Sequence, residues 1–216
     1  LDELKNGCQP ATKASGATTR IGFAAARELA WMFYSDCIPK FDADAHAADK
    51  NYAVAAMLGF GPTPMDFTVH LTESDRTAAG TLLDQNGVNG PFAALVPGTR
   101  WETKCWPAER FGKVAASLQS THGMASILIG GKDDIPAADL AVQSSDGSAT
   151  NLCGKTTLRQ AAALIERSAI VITADSTPMH LAAAFNRPLV ALFGPTNPSR
   201  TGPFGRISDV VRLDLA

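Results

Sequence analysis

At 216 residues, 45% of them hydrophobic, the chain holds enough apolar material for one large or two small domains. A formal charge of -2 gives no electrostatic reason to expect nucleic acid as a partner, and no apolar run approaches the roughly 20 residues of a membrane span. The cysteines Cys8, Cys37, Cys105 and Cys153 are widely spaced and make no CxxC pair, so they read as reduced, cytosolic thiols rather than a disulfide framework or zinc site.

In chain order, residues 20–23 (RIGF) predict a short strand running into a loop. Residues 24–34 predict a helix with Leu29, Met32 and Phe33 on one face. Residues 46–58 carry a second helical pattern, stopped by Gly59-Phe60-Gly61-Pro62. Residues 67–71 alternate as a strand or extended connector would. Residues 74–85 are helical with Asn86-Gly87 as the stop, so the stretch 59–91 reads as an inter-domain connection. From Phe92 the order becomes regular. Strands at 92–96, 125–129 and 168–173 alternate with helices at 107–119, 135–143 and 157–167, the last capped by Thr156 or Thr157. Such alternation predicts a parallel sheet with helices on both faces.

The most informative stretch is Ala174-Asp175-Ser176-Thr177-Pro178-Met179-His180-Leu181-Ala182-Ala183-Ala184, closed by Asn186-Arg187-Pro188 and followed by Phe193-Gly194-Pro195-Thr196-Asn197-Pro198. It reads as strand, acidic loop, capped helix, strand and glycine-proline loop. Thr177 fits the N-cap and Pro178 the first helical position. The helix start leaves backbone N–H groups at the mouth of the sheet, where an open α/β sheet binds an anionic nucleotide. His180 in that first turn implies either a neutral ring or a bound anion, since a cation is unwelcome at a positive helix end. The plain alternative is that Asp175 and Thr177 only cap the helix and His180 only packs. The loop Gly98-Thr99-Arg100-Trp101-Glu102-Thr103-Lys104-Cys105-Trp106-Pro107 brings a hydroxyl and two cations to the same end of the sheet. Lys104 there suits the charge of a diphosphate leaving group; the alternative is a solvated surface loop.

Three motifs are discounted. Gly154-Lys155-Thr156-Thr157 ends like a P-loop, but Ala149 stands where the first glycine belongs. Asp42-Ala43-Asp44 follows no buried strand and sits among polar residues, which argues against the acidic pair that holds a metal on a nucleotide sugar. Gly130-Gly131-Lys132-Asp133-Asp134 lacks GxGxxG spacing, although its place after a strand lets it approach a ribose.

Together, Gly98-Thr99 with Lys104-Cys105-Trp106-Pro107, the run 175–184, Arg187-Pro188 and the loop 193–198 resemble glycosyltransferase family 9, the ADP-heptose:lipopolysaccharide heptosyltransferases. Weaker echoes are Arg20 to Phe23, Ala26-Arg27-Glu28, Tyr34 and residues 46–51. The resemblance implies an α/β, GT-B-like fold. Residues 89–216 would form a Rossmann-like, nucleotide-sugar-binding C-terminal domain, truncated at its end. Residues 1–88 would form an incomplete, acceptor-side N-terminal α/β domain and connector.

The implied function is inverting transfer of heptose from ADP-heptose to the lipopolysaccharide inner core. It needs no obligatory metal or other cofactor, the ADP-sugar being the donor substrate. Carried onto this chain, Thr99, Lys104 and the N–H groups near Ser176 and Thr177 meet the diphosphate, with His180 and Gly194 close by. Asp175 bonds sugar hydroxyls, and Lys104 and Asp175 carry the catalytic weight. Thr156 borders the adenine. Arg27 and Lys50 face an anionic acceptor. The family's acidic ribose contact has no clear counterpart, because Ile135 and Pro136 stand near its place; Asp133 or Asp134 is the substitute. The opening strand and loop that carry the family's general base are missing, so these 216 residues alone are expected to be inactive. The resemblance places the protein in the cytoplasm, with a peripheral contact at the cytoplasmic face of the inner membrane allowed. The alternatives are a relative using another nucleotide sugar and a non-catalytic nucleotide-binding fragment.

Overall fold

The computed structural model describes residues 13–25 and 29–212. They divide into two compact units that meet between Asp66 and Phe67.

In the first unit, β1 (Ile21–Phe23) pairs in parallel with β2 (Asp36–Ile38). The Tyr34 ring lies on the bare face of Gly22, where any Cβ would fall 2.1 Å from a ring carbon. Helix α1 (Ala47–Met57) starts at His46, whose ring nitrogen Nδ1 accepts the Ala48 N–H at 3.1 Å. Among the described residues of the stretch 24–34, where a helix was expected, the helical element is a single 3₁₀ turn at Ala30–Phe33, entered through Leu29 at φ 57°. A β-carbon-bearing residue in the left-handed region cannot continue an α-helix. Residues 26–28, Arg27 among them, lie outside the described residues. Asp42 and Asp44 form a turn in which Asp42 Oδ1 accepts the Asp44 N–H at 2.8 Å.

The second unit is built on six parallel strands: β3 (Phe92–Val96), β4 (Ala125–Leu128), β5 (Ala149–Asn151), β6 (Ile170–Ala174), β7 (Leu189–Phe193) and β8 (Val210–Arg212). Their spatial order is β5-β4-β3-β6-β7-β8. Counted within this unit, that is 3-2-1-4-5-6, the order of a doubly wound sheet whose direction of growth reverses between its first and fourth strands.

Both faces of the sheet are covered, as a parallel sheet requires. Phe92, Ala94 and Val96 of β3 face one core, with Leu83 of α2 (Glu73–Gln85), Ala163 and Leu164 of α5 (Leu158–Arg167), and Met179 of α6 (Thr177–Ala184). Ala93 and Leu95 face the other, with Phe111 and Ala115 of α3 (Ala108–His122) and Ala138 and Ala141 of α4 (Ile135–Gln143). A shift of one residue would exchange the two sets, so register is firmly specified.

Capping explains the helix boundaries. Thr72 and Asp75 form a reciprocal capping box on α2, and Thr157 and Gln160 another on α5. Helix α3 stops at Gly123, which takes the left-handed conformation at φ 62°. Helix α2, expected within the inter-domain connection, belongs to the second unit. Ala79 and Leu83 are buried in its core, and Arg76 binds Glu166 of α5 through two bonds of 2.8 and 2.9 Å. Helix α6 starts one residue earlier than expected: Ser176 is the N-cap, and Thr177 and Pro178 are its first two helical residues. No described helix is long and apolar enough to cross a membrane.

Candidate functional site

A cleft of about 680 Å³ lies over the carboxyl ends of the central strands. After β3 it is lined by Gly98, Thr99 and Arg100; after β4 by Gly130, Gly131, Asp133 and Asp134; before α5 by Thr156 and Thr157; after β6 by Ser176, Thr177 and Pro178. The floor and one wall are apolar: Val96, Ile129, Leu158 and Ala161. The cleft therefore sits at the switch point of the sheet, where doubly wound folds take their ligands.

The β6 end leads into a helix start that no side chain caps. The Ser176 hydroxyl turns back to Thr173 Oγ1 and the Ala174 carbonyl, both at 3.2 Å, and does not cap α6. The first N–H groups of the helix are left without a side-chain cap, at the positive end of its dipole.

Just before Ser176, Asp175 is buried, and its Oδ2 lies 2.6 Å from Lys104 Nζ. Thr196 donates its hydroxyl to the same oxygen at 2.7 Å. Lys104 comes from the turn after β3 and Thr196 from the loop after β7. One carboxylate thus joins three strand-end loops. Gly194 permits this closeness, since a Cβ there would stand 3.2 Å from the Thr103 carbonyl. An ammonium has three donors; one on Asp175 leaves two for a ligand.

The acidic side of the cleft is equally defined. The Asp134 carboxylate fills the space above two glycines: a Cβ on Gly98 would fall 2.0 Å from Oδ1, and one on Gly130 2.6 Å from Oδ2. Oδ2 also accepts the Gly131 N–H at 2.7 Å.

Of the residues singled out in the sequence, Thr99, Thr156, Ser176 and Thr177 line the cleft. Lys104, Asp175 and Gly194 stand together beside its β6 end. His180 is exposed on the first turn of α6 and is not among the cleft-lining residues. Lys50 lies on α1 in the other unit, with Nζ 3.4 Å from the Ala43 carbonyl. Thr196 and Leu158 were not among the expected site residues, whereas Asp133 and Asp134, the two candidates for the acidic ribose contact, both line the cleft. Thr196 falls in the glycine-proline loop already marked as important, so a hydroxyl there was the available signal. Among the described residues, no group of three or more His, Cys, Asp or Glu is arranged to hold a metal.

Sheet order and the cleft at its switch point define a doubly wound α/β domain of the GT-B-like kind. The family model for glycosyltransferase family 9 (heptosyltransferase) matches residues 11–216, and the chain belongs to that family. Lipooligosaccharide heptosyltransferase 2 of Haemophilus influenzae is 33% identical over 192 residues, covering 87% of this chain and 51% of that protein. Lipopolysaccharide heptosyltransferase 2 of Salmonella typhimurium is 38% identical over 128 residues, 57% of this chain and 36% of that protein. Among solved structures, the E. coli ADP-heptose LPS heptosyltransferase II superposes with a TM-score of 0.73 at 26% identity, covering 92% of this chain and 62% of that one. The family 9 glycosyl transferase of Veillonella parvula superposes at 0.77 with 27% identity, covering 91% and 56%. The chain spans about half the length of the curated relatives it matches.

Proposed function

We propose that the second unit binds the ADP moiety of ADP-heptose and serves an inverting heptosyltransferase that glycosylates the lipopolysaccharide core. The observation that carries this reading is the convergence of Lys104, Asp175 and the uncapped start of α6 at the switch point of the sheet. The solved E. coli relative is named for an ADP-heptose donor, which supports the choice of nucleotide.

The diphosphate meets Lys104, Thr99 and the N–H groups of Ser176 and Thr177. Adenosine lies along Val96, Ile129, Leu158 and Ala161, with Thr156 at its border. Asp175 accepts hydroxyls of the sugar. The acceptor hydroxyl gives its proton to a carboxylate base. Its oxygen bonds to the anomeric carbon as the bond from that carbon to the phosphate oxygen breaks. ADP leaves with the electron pair, its growing charge stabilised by Lys104 and the α6 dipole. This route requires no metal. Arg27 and Lys50 are the proposed contacts to the anionic acceptor. The protein works at the cytoplasmic face of the inner membrane, touching it peripherally.

Calorimetric titration of the chain tests the nucleotide assignment. ADP should bind more tightly than UDP, and Lys104→Met should weaken ADP. A preference for UDP, or binding of neither, would overturn it. Pelleting with anionic lipid vesicles tests the membrane contact, which fails if the chain stays in the supernatant.

A further inference from the structure

Thr196 has the geometry of a residue that acts through Asp175. Its loop is held on both sides. Arg212 of β8 donates to the Gly194 carbonyl at 3.1 Å, and Asn197 Oδ1 accepts the Ser199 N–H at 2.9 Å, capping the short helix α7 (Pro198–Thr201). Between these points the Thr196 hydroxyl donates to Asp175 Oδ2 at 2.7 Å, on the oxygen that also receives Lys104 at 2.6 Å. Two donors on one oxygen fix the rotation of a carboxylate. The remaining oxygen, Oδ1, is thereby held in a single orientation.

From this geometry we infer that Thr196 is a positioning residue for donor-sugar recognition, orienting Asp175 Oδ1 toward the sugar hydroxyls. The inference rests on the proposed role of Asp175 above. It assigns Thr196 no contact with the nucleotide. Removing its hydroxyl therefore lets the Asp175 carboxylate rotate, while the Lys104 and α6 contacts to the diphosphate stay in place. A hydroxyl serving only to hold the loops together would instead change stability, or affect ADP and ADP-sugar alike.

The test uses the 216-residue chain, calorimetry with ADP and with ADP-heptose, and thermal melting. Thr196→Val keeps the side-chain shape and deletes the donor; Thr196→Ser restores it. For Thr196→Val, ADP affinity should stay within about twofold and ADP-heptose affinity should fall about tenfold, the scale of a hydrogen bond to a charged group. Thr196→Ser should return to within about threefold of the parent for both ligands. Equal losses for the two ligands, an unchanged ADP-heptose affinity, or failure of serine to rescue would overturn the inference. If the parent chain itself binds ADP-heptose no better than ADP, the assignment of Asp175 fails first. That result is separable, because it is seen before any variant is made.

Discussion

Lys104→Met deletes a charge from a buried pair while keeping most of the side-chain volume, and its cost follows from the geometry. Lys104 Nζ and Asp175 Oδ2 are 2.6 Å apart, and the two side chains are 20% and 6% exposed. At an effective dielectric of about 20, their attraction is about 6 kcal/mol, most of which offsets the desolvation of the two ions. Removing only the ammonium leaves Asp175 buried with the Thr196 hydroxyl as its remaining donor. The expected loss of stability is about 2–3 kcal/mol, below the value for a fully buried pair because Thr196 remains and water reaches the site. Asp175→Asn should cost less, since Lys104 has partial access to solvent. The double variant should lose less than the two single losses combined, with a coupling of about 1–2 kcal/mol. Urea unfolding in the absence of nucleotide, followed by the fluorescence of Trp101 and Trp106 beside the site, measures all four proteins. A Lys104→Met chain within about 0.5 kcal/mol of the parent, with strictly additive variants, would refute the claim that one carboxylate ties these loops together.

A Cβ at Gly98 would stand 2.0 Å from Asp134 Oδ1, so Gly98→Ala should force that carboxylate away and break its 2.7 Å bond from Gly131 N–H. The loss is about 1–2 kcal/mol by urea unfolding, with weaker ADP binding by titration. Cys153 is buried, and burial above all pushes its thiol up to about 12, with the Asp134 and Asp139 carboxylates adding to the effect. Peptide mapping after brief iodoacetamide treatment at pH 8 should find exposed Cys37 and Cys105 labelled and Cys153 spared, and ADP should slow Cys105, the neighbour of Lys104. The Arg76 guanidinium holds the Glu166 carboxyl below its ordinary 4.5. Folded-state depression gives stability that is present above that value and lost as pH falls through the lower folded one. Glu166→Gln should therefore be less stable than the parent by under about 1 kcal/mol at pH 7, and the gap should close on acidification below 4.5. A pH-independent gap in chemical unfolding would contradict that pairing.

The second unit was largely legible from its sequence because its strands are apolar runs punctuated by glycine and proline. Phe92–Val96 and Leu189–Phe193 need no tertiary information to be read as strands. Three strands escaped. Asp36–Ile38, Ala149–Asn151 and Val210–Arg212 are three-residue edge strands, too short for a period to show and made by pairing with a neighbour rather than by propensity. The 24–34 pattern had a helical period, but the backbone turns through Leu29 instead. The start of α6 was misread by one residue because Ser176 and Thr177 are both acceptable caps, and the contacts that turn the Ser176 hydroxyl back to Thr173 and Ala174 are made only in the fold. The candidate site was legible as a set of loops at strand ends. Its central contact was not, because Lys104, Asp175 and Thr196 lie on three separate loops that only the sheet order brings together.

A crystal structure of the chain with ADP-heptose bound tests the central claim most directly. The account predicts the diphosphate within hydrogen-bond distance of Lys104 Nζ and the Ser176 and Thr177 N–H groups, with a heptose hydroxyl on Asp175. A nucleotide bound away from the strand-end cleft, or a diphosphate that touches neither Lys104 nor the start of α6, would contradict it.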